Sequence, residues 1–261
     1  MAEFERVRLG RTNLEAGPLG LGGAYGAPAE AFEMAFEHGC NYFYYGASRG
    51  RGMAKAVKNL VAQGKRDEIV VAVQSFSRIA SIMEISVNRA LKSLGLDHAD
   101  ILLLGWHNKQ PGKGLWDKAL ELRQKGRVRH LGLSGHNRKL FPVLAKDKDF
   151  DILHFRYNAA HRGAEKDIFP FLDQKNRPAM VAFTATCWGK LLNPKKMPPG
   201  EKPLTSAQCY RFALSNPFVD LTLCGPKNME QMRQGLDALK AGPLEQDEME
   251  RVRIIGNFVK R

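Results

Sequence analysis

Eight short apolar runs, each followed by a segment of helical periodicity, constrain this chain more than any other feature. The runs centre near residues 20, 43, 71, 102, 131, 154, 181 and 221. EIVVAVQS (68–75), ADILLLGW (99–106) and AMVAFTAT (179–186) are near-continuous apolar segments rather than strict alternations. Strands covered on both faces read this way, as in a parallel sheet wrapped by helices. Helices are expected over 29–38, 53–63, 80–94, 115–125, 139–146, 164–174, 206–214, 229–241 and 246–260. In the third of these, Ile82, Ile85, Val87, Leu91 and Leu94 fall largely on one face. Eight β–α units in a chain of 261 residues fit a closed (β/α)8 (TIM) barrel of the α/β class better than an open sheet. The open alternative needs a G-x-G-x-x-G turn between first strand and first helix, which LGLGGAYG does not supply. Residues 5–16 read as a short N-terminal β-hairpin. No compositional break divides the chain, so residues 1–261 are expected to form one domain. The long Pro/Lys-rich connection 184–203 lies on the strand-to-helix side and is a candidate lid.

Composition removes several function classes. No apolar run approaches the roughly 20 residues of a membrane span. The charged start MAEFERVRLGR has no apolar signal core, so a cytoplasmic location is expected. Cys40, Cys187, Cys209 and Cys224 show no CxxC pairing, and Cys40 and Cys224 sit in strand-like settings of reduced core residues. Clustered metal ligands are absent from the pattern. The net charge of +13 suits anionic partners such as phosphorylated cofactors, acidic proteins or, non-specifically, nucleic acid. Its Lys and Arg are spread along the whole chain, the pattern of a solvated basic surface, and no nucleic-acid fold or aromatic/basic interleaving accompanies them.

Chemistry is expected where the second strand ends. NYFYYGASRGRG (41–52) is an aromatic strand running into a Gly/Ser/Arg loop, and α/β proteins place ligands at such strand ends.

An ordered series of segments resembles the aldo-keto reductase family nearly end to end. LGRTNLEAGPLGLGGAYG is similar to that family's opening hairpin and first strand, and HGCNYF to its second strand. RDEIVVAVQ, LKSLGLDHADILLLGW, GRVRHLGLSG, ILHFRYNAAHR and SNPFVDLTLCGPKNMEQMRQGLDAL follow in family order. The resemblance implies the same barrel, NADP(H) held across its mouth, and reduction of small carbonyl compounds. It also implies a tetrad: a tyrosine acid, a lysine and an aspartate that lower the tyrosine's pKa, and a histidine that orients the carbonyl. A phenol titrates near 10, so it needs neighbouring charge to give up its proton at neutral pH.

The tetrad positions align with Tyr44 for the aspartate, Arg49 for the tyrosine, Gln74 for the lysine and Gly105 for the histidine. Tyr45, one residue along, and His107, two residues past Gly105, are the nearest substitutes, with Arg49 as a cation beside a phenol. His107 also reads as an ordinary loop histidine. On the cofactor side, Gly225 and Lys227 match the family's phosphate loop, and Gln231 a position near the adenosine. Gly235 stands where an asparagine usually contacts adenine. Ser134 and His154 match positions that hold the nicotinamide amide, and Phe183 matches the aromatic that stacks on its ring. A helix N-terminus beside a lysine is a physically sound phosphate site. Two readings follow: an NADP(H)-binding oxidoreductase with an altered acid–base set and an unidentified small-molecule substrate, or a catalytically silent barrel that binds nucleotide or ligand or regulates a partner.

Overall fold

The computed structural model describes residues 4–46 and 50–260. Ten strands lie among them: β1 (Val7–Arg8), β2 (Glu15–Ala16), β3 (Leu19–Gly22), β4 (Tyr42–Tyr45), β5 (Val70–Ser75), β6 (Ala99–Leu104), β7 (Val128–Gly135), β8 (Ile152–Arg156), β9 (Ala179–Phe183) and β10 (Leu221–Cys224). β1 and β2 form the expected antiparallel hairpin. β3 to β10 pair in parallel and in chain order, and β10 closes on β3 to complete an eight-stranded barrel. The helices are α1 (Ala29–Glu37), α2 (Arg51–Ala62), α3 (Ala80–Leu94), α4 (Lys113–Gln124), α5 (Phe141–Lys146), α6 (Ala164–Asp167), α7 (Ser206–Leu214), α8 (Met229–Ala241) and α9 (Gln246–Lys260).

Two helical expectations change. The segment expected to be helical over 164–174 stops at Asp167 and resumes as a 3-10 turn, Phe169–Phe171. Pro170 has no N–H to donate, so it cannot continue an α-helix from within. On α3 the buried stripe is Met83, Val87, Leu91 and Leu94, whereas Ile82 and Ile85 are 47% and 46% exposed. The i, i+4, i+8 row through Met83 faces the strands, and an apolar residue one position before it has turned about 100° away.

Strand parity decides which side chains reach the barrel interior. On β4, Tyr42 and Tyr44 join the interior cluster with Val70, Ala72, Ile101, Ile152 and Val181. Phe43 and Tyr45 instead face the outer layer with Val71, Val73, Leu102 and Leu104, against the helices. Continuous apolar strands are needed because both faces are buried.

The hairpin stoppers the N-terminal end, sending Leu9 and Ala16 into the interior cluster. Gly10 in its turn has φ +52°, and a β-carbon there would stand 2.3 Å from Ala179 N. Only glycine permits both the left-handed backbone and the approach. At this end three aspartates tie neighbouring strands: Asp100 accepts from Val71 N at 2.8 Å, Asp151 from Leu131 N at 3.0 Å and Asp220 from Met180 N at 2.6 Å. Asp100 also meets Arg66 at 3.0 Å and Arg129 at 3.3 Å. Asp220 takes a two-pronged pair from Arg177, at 2.5 and 2.9 Å. Asp100 and Asp220 tolerate the low dielectric because each is paired with arginine and hydrogen-bonded.

The connection 184–203 is anchored to the body of the protein. Leu191 is fully buried, Met197 and Leu204 nearly so, and Leu204 N bonds Leu191 O at 3.0 Å. Arg251 on α9 holds it from outside through Glu201 at 2.9 Å and Lys202 O at 2.8 Å. All four cysteines are free and buried. Among the described residues no helix is long and apolar enough to cross a membrane, and no group of three or more His, Cys, Asp or Glu side chains could hold a metal.

Candidate functional site at the barrel mouth

The C-terminal strand ends bring Tyr44, Gln74, Gly105 and Ser134 together, one from each of four adjacent strands or the turn just beyond. Gln74 Nε2 donates to Ser134 Oγ at 3.0 Å. Ser134 Oγ accepts a second bond from Trp106 N at 3.1 Å. A β-carbon on Gly105 would lie 2.3 Å from Gln74 Nε2. The glutamine side chain therefore occupies room that any larger residue at 105 would claim. Gln74 Oε1 is buried and has no hydrogen-bond partner among the described residues.

Tyr44 is half-buried, its ring 5.5 Å from that of His154. Burial first, and Tyr25 second, push its phenol pKa further above the ordinary value of 10. Its hydroxyl makes no hydrogen bond to any described residue. Beneath it, Tyr42 Oη and His154 Nε2 share a hydrogen bond of 2.9 Å. Burial lowers the His154 pKa to about 3, so the imidazole is neutral at ordinary pH.

Tyr45 does not join this group. It has the opposite parity to Tyr44, and its hydroxyl bonds Ser93 Oγ on α3 at 2.9 Å. Parity overrides nearness in sequence: one residue along a strand is the other side of the sheet. Arg49 lies outside the described residues. His107 is buried with Nε2 unpartnered, and burial, then Arg78, lowers its pKa to about 4. Its backbone N donates to Ser134 O at 2.7 Å, so the residue also fixes the end of β7.

The residues matched to the cofactor divide by how far they are already engaged. Ser134 has accepted two bonds but keeps its own hydroxyl proton. His154 has one nitrogen committed to Tyr42 inside the barrel. Gln231 Oε1 accepts from Lys227 N at 3.0 Å, and Gln231 N donates to the Asn228 cap at 2.9 Å. These bonds fold the turn before α8 into a capped N-terminus. The Lys227 side chain is exposed, and Phe183, half-buried at the end of β9, meets His136 edge-on at 5.6 Å. A β-carbon on Gly225 would stand 2.4 Å from the Tyr25 ring. One on Gly235 would stand 2.9 Å from Cys224 Sγ, so close packing against β10 leaves no room there for an asparagine side chain.

The sequence places Trp106 and Trp188 near the mouth, but Phe76, Arg78 and Arg156 escaped the sequence reading. Arg78 clamps the turn after β6, donating to Phe76 O at 2.9 Å, Gly105 O at 3.0 Å and Trp106 O at 2.8 Å. Phe76 and Trp106 form an exposed aromatic lip, ring centres 4.9 Å apart. Arg156 lies 5.7 Å over Trp188. The signal that points to them is position alone, at the last residue of an apolar strand or within five residues past it. Non-glycine residues with positive φ are Trp106, Thr184, Cys187 and Trp188 among the described residues. All four follow β6 or β9 at this same end, the pattern of strain concentrated where ligands bind. A separate cleft of roughly 400 Å³ is lined by Arg162, Glu165, Lys166, Arg253 and Asn257. Glu165 there is engaged by Arg253 and by Tyr157 at 2.7 Å, and none of these residues belongs to the mouth cluster.

The sequence model of the Aldo/keto reductase family matches residues 24–205. No curated protein matches the chain. Among solved structures, aldo-keto reductase AKR11C1 of Bacillus halodurans in its holo form superposes with a TM-score of 0.78 at 18% identity, covering 97% of this chain and 96% of its own. The apo form of the same protein gives 0.77. PA4992 of Pseudomonas aeruginosa gives 0.70 at 19% identity, covering 90% of this chain and 94% of its own.

Proposed function

The chain belongs to the aldo/keto reductase family, and from that premise we propose that it is an NADP(H)-binding oxidoreductase whose mouth lacks the proton-donating set of ordinary carbonyl reduction. One observation carries the proposal: an exposed lysine stands at a capped helix N-terminus beside the mouth, while the cluster at the ends of β4–β7 is built from a phenol, a carboxamide and a hydroxyl. The residues present suit the nucleotide. Lys227 and the first amides of α8 offer a phosphate both charge and N–H donors. No hydrogen bond to a described residue occupies the amides of Met229 and Glu230. Ser134 has a proton to donate to an amide carbonyl, and Phe183 offers a ring face.

NADPH, when bound, supplies a hydride. The matched tetrad positions do not supply the accompanying proton: Tyr44 is raised rather than lowered, Gln74 carries no charge, and Gly105 has no side chain. Losing a positioned general acid typically slows a reaction by about 10²- to 10⁴-fold. The second reading, a barrel that binds nucleotide or ligand without turnover, is favoured by the same raised phenol.

NADPH titration followed by tryptophan fluorescence tests the binding half, since Trp106 and Trp188 are both exposed at the mouth. Saturable quenching is expected; none at millimolar NADPH removes the cofactor from both readings. NADPH oxidation with a panel of aldehydes, ketones and quinones tests the chemistry. Slow turnover, little changed by Tyr44→Phe, is expected of the oxidoreductase. Rapid turnover abolished by Tyr44→Phe would establish that phenol as the acid and overturn the altered-set reading.

A further inference from the structure

Arg156 ends β8 on the side of the barrel across from Tyr44. It has the parity of Ile152 and His154, whose side chains face the interior, and it pairs in register with Phe183 on β9. Its half-buried guanidinium lies 5.7 Å over the exposed Trp188 ring and makes no ion pair or hydrogen bond to any described residue. The acidic side chains that follow it in sequence are committed elsewhere, Glu165 to Arg253 and Tyr157 and Asp167 to Arg138. Lys190 is exposed in the turn closed by its own amide on Cys187 O at 3.0 Å, and it too meets no carboxylate among the described residues. Neighbouring groups feel this surplus. Burial, then Arg156, lowers the pKa of His136. Burial, then Arg156, Lys260, Lys190 and Arg138, lowers that of His161, with no negative group in opposition. A half-buried charge is ordinarily paired within the protein; this one is left to an anion from outside. A recess of about 10 Å³ lined by Gly135, His136, Arg156 and His161 is the smallest that takes one water-sized group. It admits an anionic oxygen and leaves the body of a ligand to the open mouth beside Trp188.

We propose that Arg156 and Lys190 form an anion subsite on the β8–β9 side of the mouth, which takes the carboxylate or phosphate of a ligand with a planar body. The guanidinium is a planar fork of donors that matches two oxygens of such a group, and Phe183 and Trp188 offer rings to a flat body. A neutral ligand of the same shape leaves the guanidinium unpaired. This position is separate from the one proposed for the nucleotide's phosphate, since Lys227 and the first amides of α8 follow β10, on the other side of β9. The inference deepens the oxidoreductase reading, on which it rests for placing a ligand at the mouth, by giving that ligand a negative charge. It identifies Arg156 as the residue that sets specificity.

The test compares benzoate and phenyl phosphate with neutral benzamide, which share a ring, by titrating each at fixed ionic strength into the ¹⁵N-labelled protein and following the Trp188 indole N–H. Both anions are expected to bind at least about tenfold more tightly than benzamide, and Arg156→Gln to bring all three within about twofold. Arg156→Lys is expected to keep part of the ratio. Lys190→Gln, at an exposed position that the fold does not need, is expected to lower the ratio as well, so the proposal does not hang on one variant folding. Equal affinities, a preference for benzamide, or no saturable shift with any ligand overturns it, as does a ratio that survives both glutamine variants. NADPH titration of the same samples identifies the source of the anion. NADPH that binds alongside benzoate, with an affinity unchanged by Arg156→Gln, assigns the subsite to the substrate; NADPH that displaces benzoate and weakens with it in Arg156→Gln assigns it to the cofactor's own phosphates. The same titration separates the failures: an anion preference without NADPH binding removes the cofactor and leaves the subsite, whereas NADPH binding without the preference does the reverse.

Discussion

The two ends of this barrel handle polarity in opposite ways. At the N-terminal end, the charged groups are matched: Asp100 with Arg66 and Arg129, Asp220 with Arg177, each aspartate also holding a neighbouring strand's amide. A hairpin covers that end. At the C-terminal end, the clustered side chains of Tyr44, Gln74 and Ser134 are neutral, Arg78 is spent on backbone carbonyls, two aromatic rings stand exposed and the non-glycine positive-φ residues gather. Paired carboxylates hold strands in register at the N-terminal end, while Arg11 Nε, His98 Nε2 and Arg177 Nε stay buried without a partner among the described residues. Unmatched neutral groups contribute little to the fold and are available for binding. The division follows the architecture, because every strand of a parallel barrel points the same way and the ends of all eight gather loops on one face.

This contrast is sharpest at Asp220. Asp220→Ala strands the Arg177 guanidinium in a nearly closed site, and removing one partner of a buried pair costs about 3–5 kcal/mol. Chemical denaturation is expected to show a loss of that size, with NADPH quenching of the remaining folded protein unchanged. A change in NADPH affinity comparable with the loss of stability would break the division between the ends.

Acid comes next. His154 is held neutral, with its pKa lowered from 6.5 to about 3, so below pH 6.5 the unfolded chain takes up a proton that the barrel refuses. The contribution is complete above the unfolded value and is lost as pH falls through the interval toward the folded one. Its slope is about 1.4 kcal/mol per pH unit, and His107, lowered to about 4, adds in the same direction. Denaturation midpoints measured between pH 7 and pH 4.5 should fall steadily. His154→Gln, which keeps an acceptor for Tyr42, should flatten part of the slope; an unchanged slope would mean that the imidazole ionises inside the fold.

Lys227→Ala probes the open end. It is expected to weaken NADPH about tenfold, in line with one exposed charge at a helix N-terminus, and to leave the thermal midpoint unchanged. The smallest effect belongs to Tyr45→Phe. Losing the Ser93 hydrogen bond is expected to cost about 1 kcal/mol of stability, with no effect on ligand or nucleotide binding. An effect on binding alone would bring Tyr45 back to the mouth.

The sequence by itself determined the architecture. Eight apolar runs and their helices were legible because burial on both faces of a strand, or along one stripe of a helix, is written in local spacing, and Ala80–Leu94, Ser206–Leu214 and Gln246–Lys260 end where the pattern ends. Family likeness was legible too, since it lies in an ordered series of segments. Tertiary structure alone decided the site. Only strand register reveals that Tyr44 faces the interior while Tyr45 faces α3, and that His154 spends a nitrogen on Tyr42. The setting of Gln74 is visible in no motif: it depends on Gly105 and Ser134, 31 and 60 positions along the chain, being brought within reach of one side chain. Hydrophobic pattern is a local property of the chain, whereas hydrogen-bond satisfaction is a property of the closed barrel.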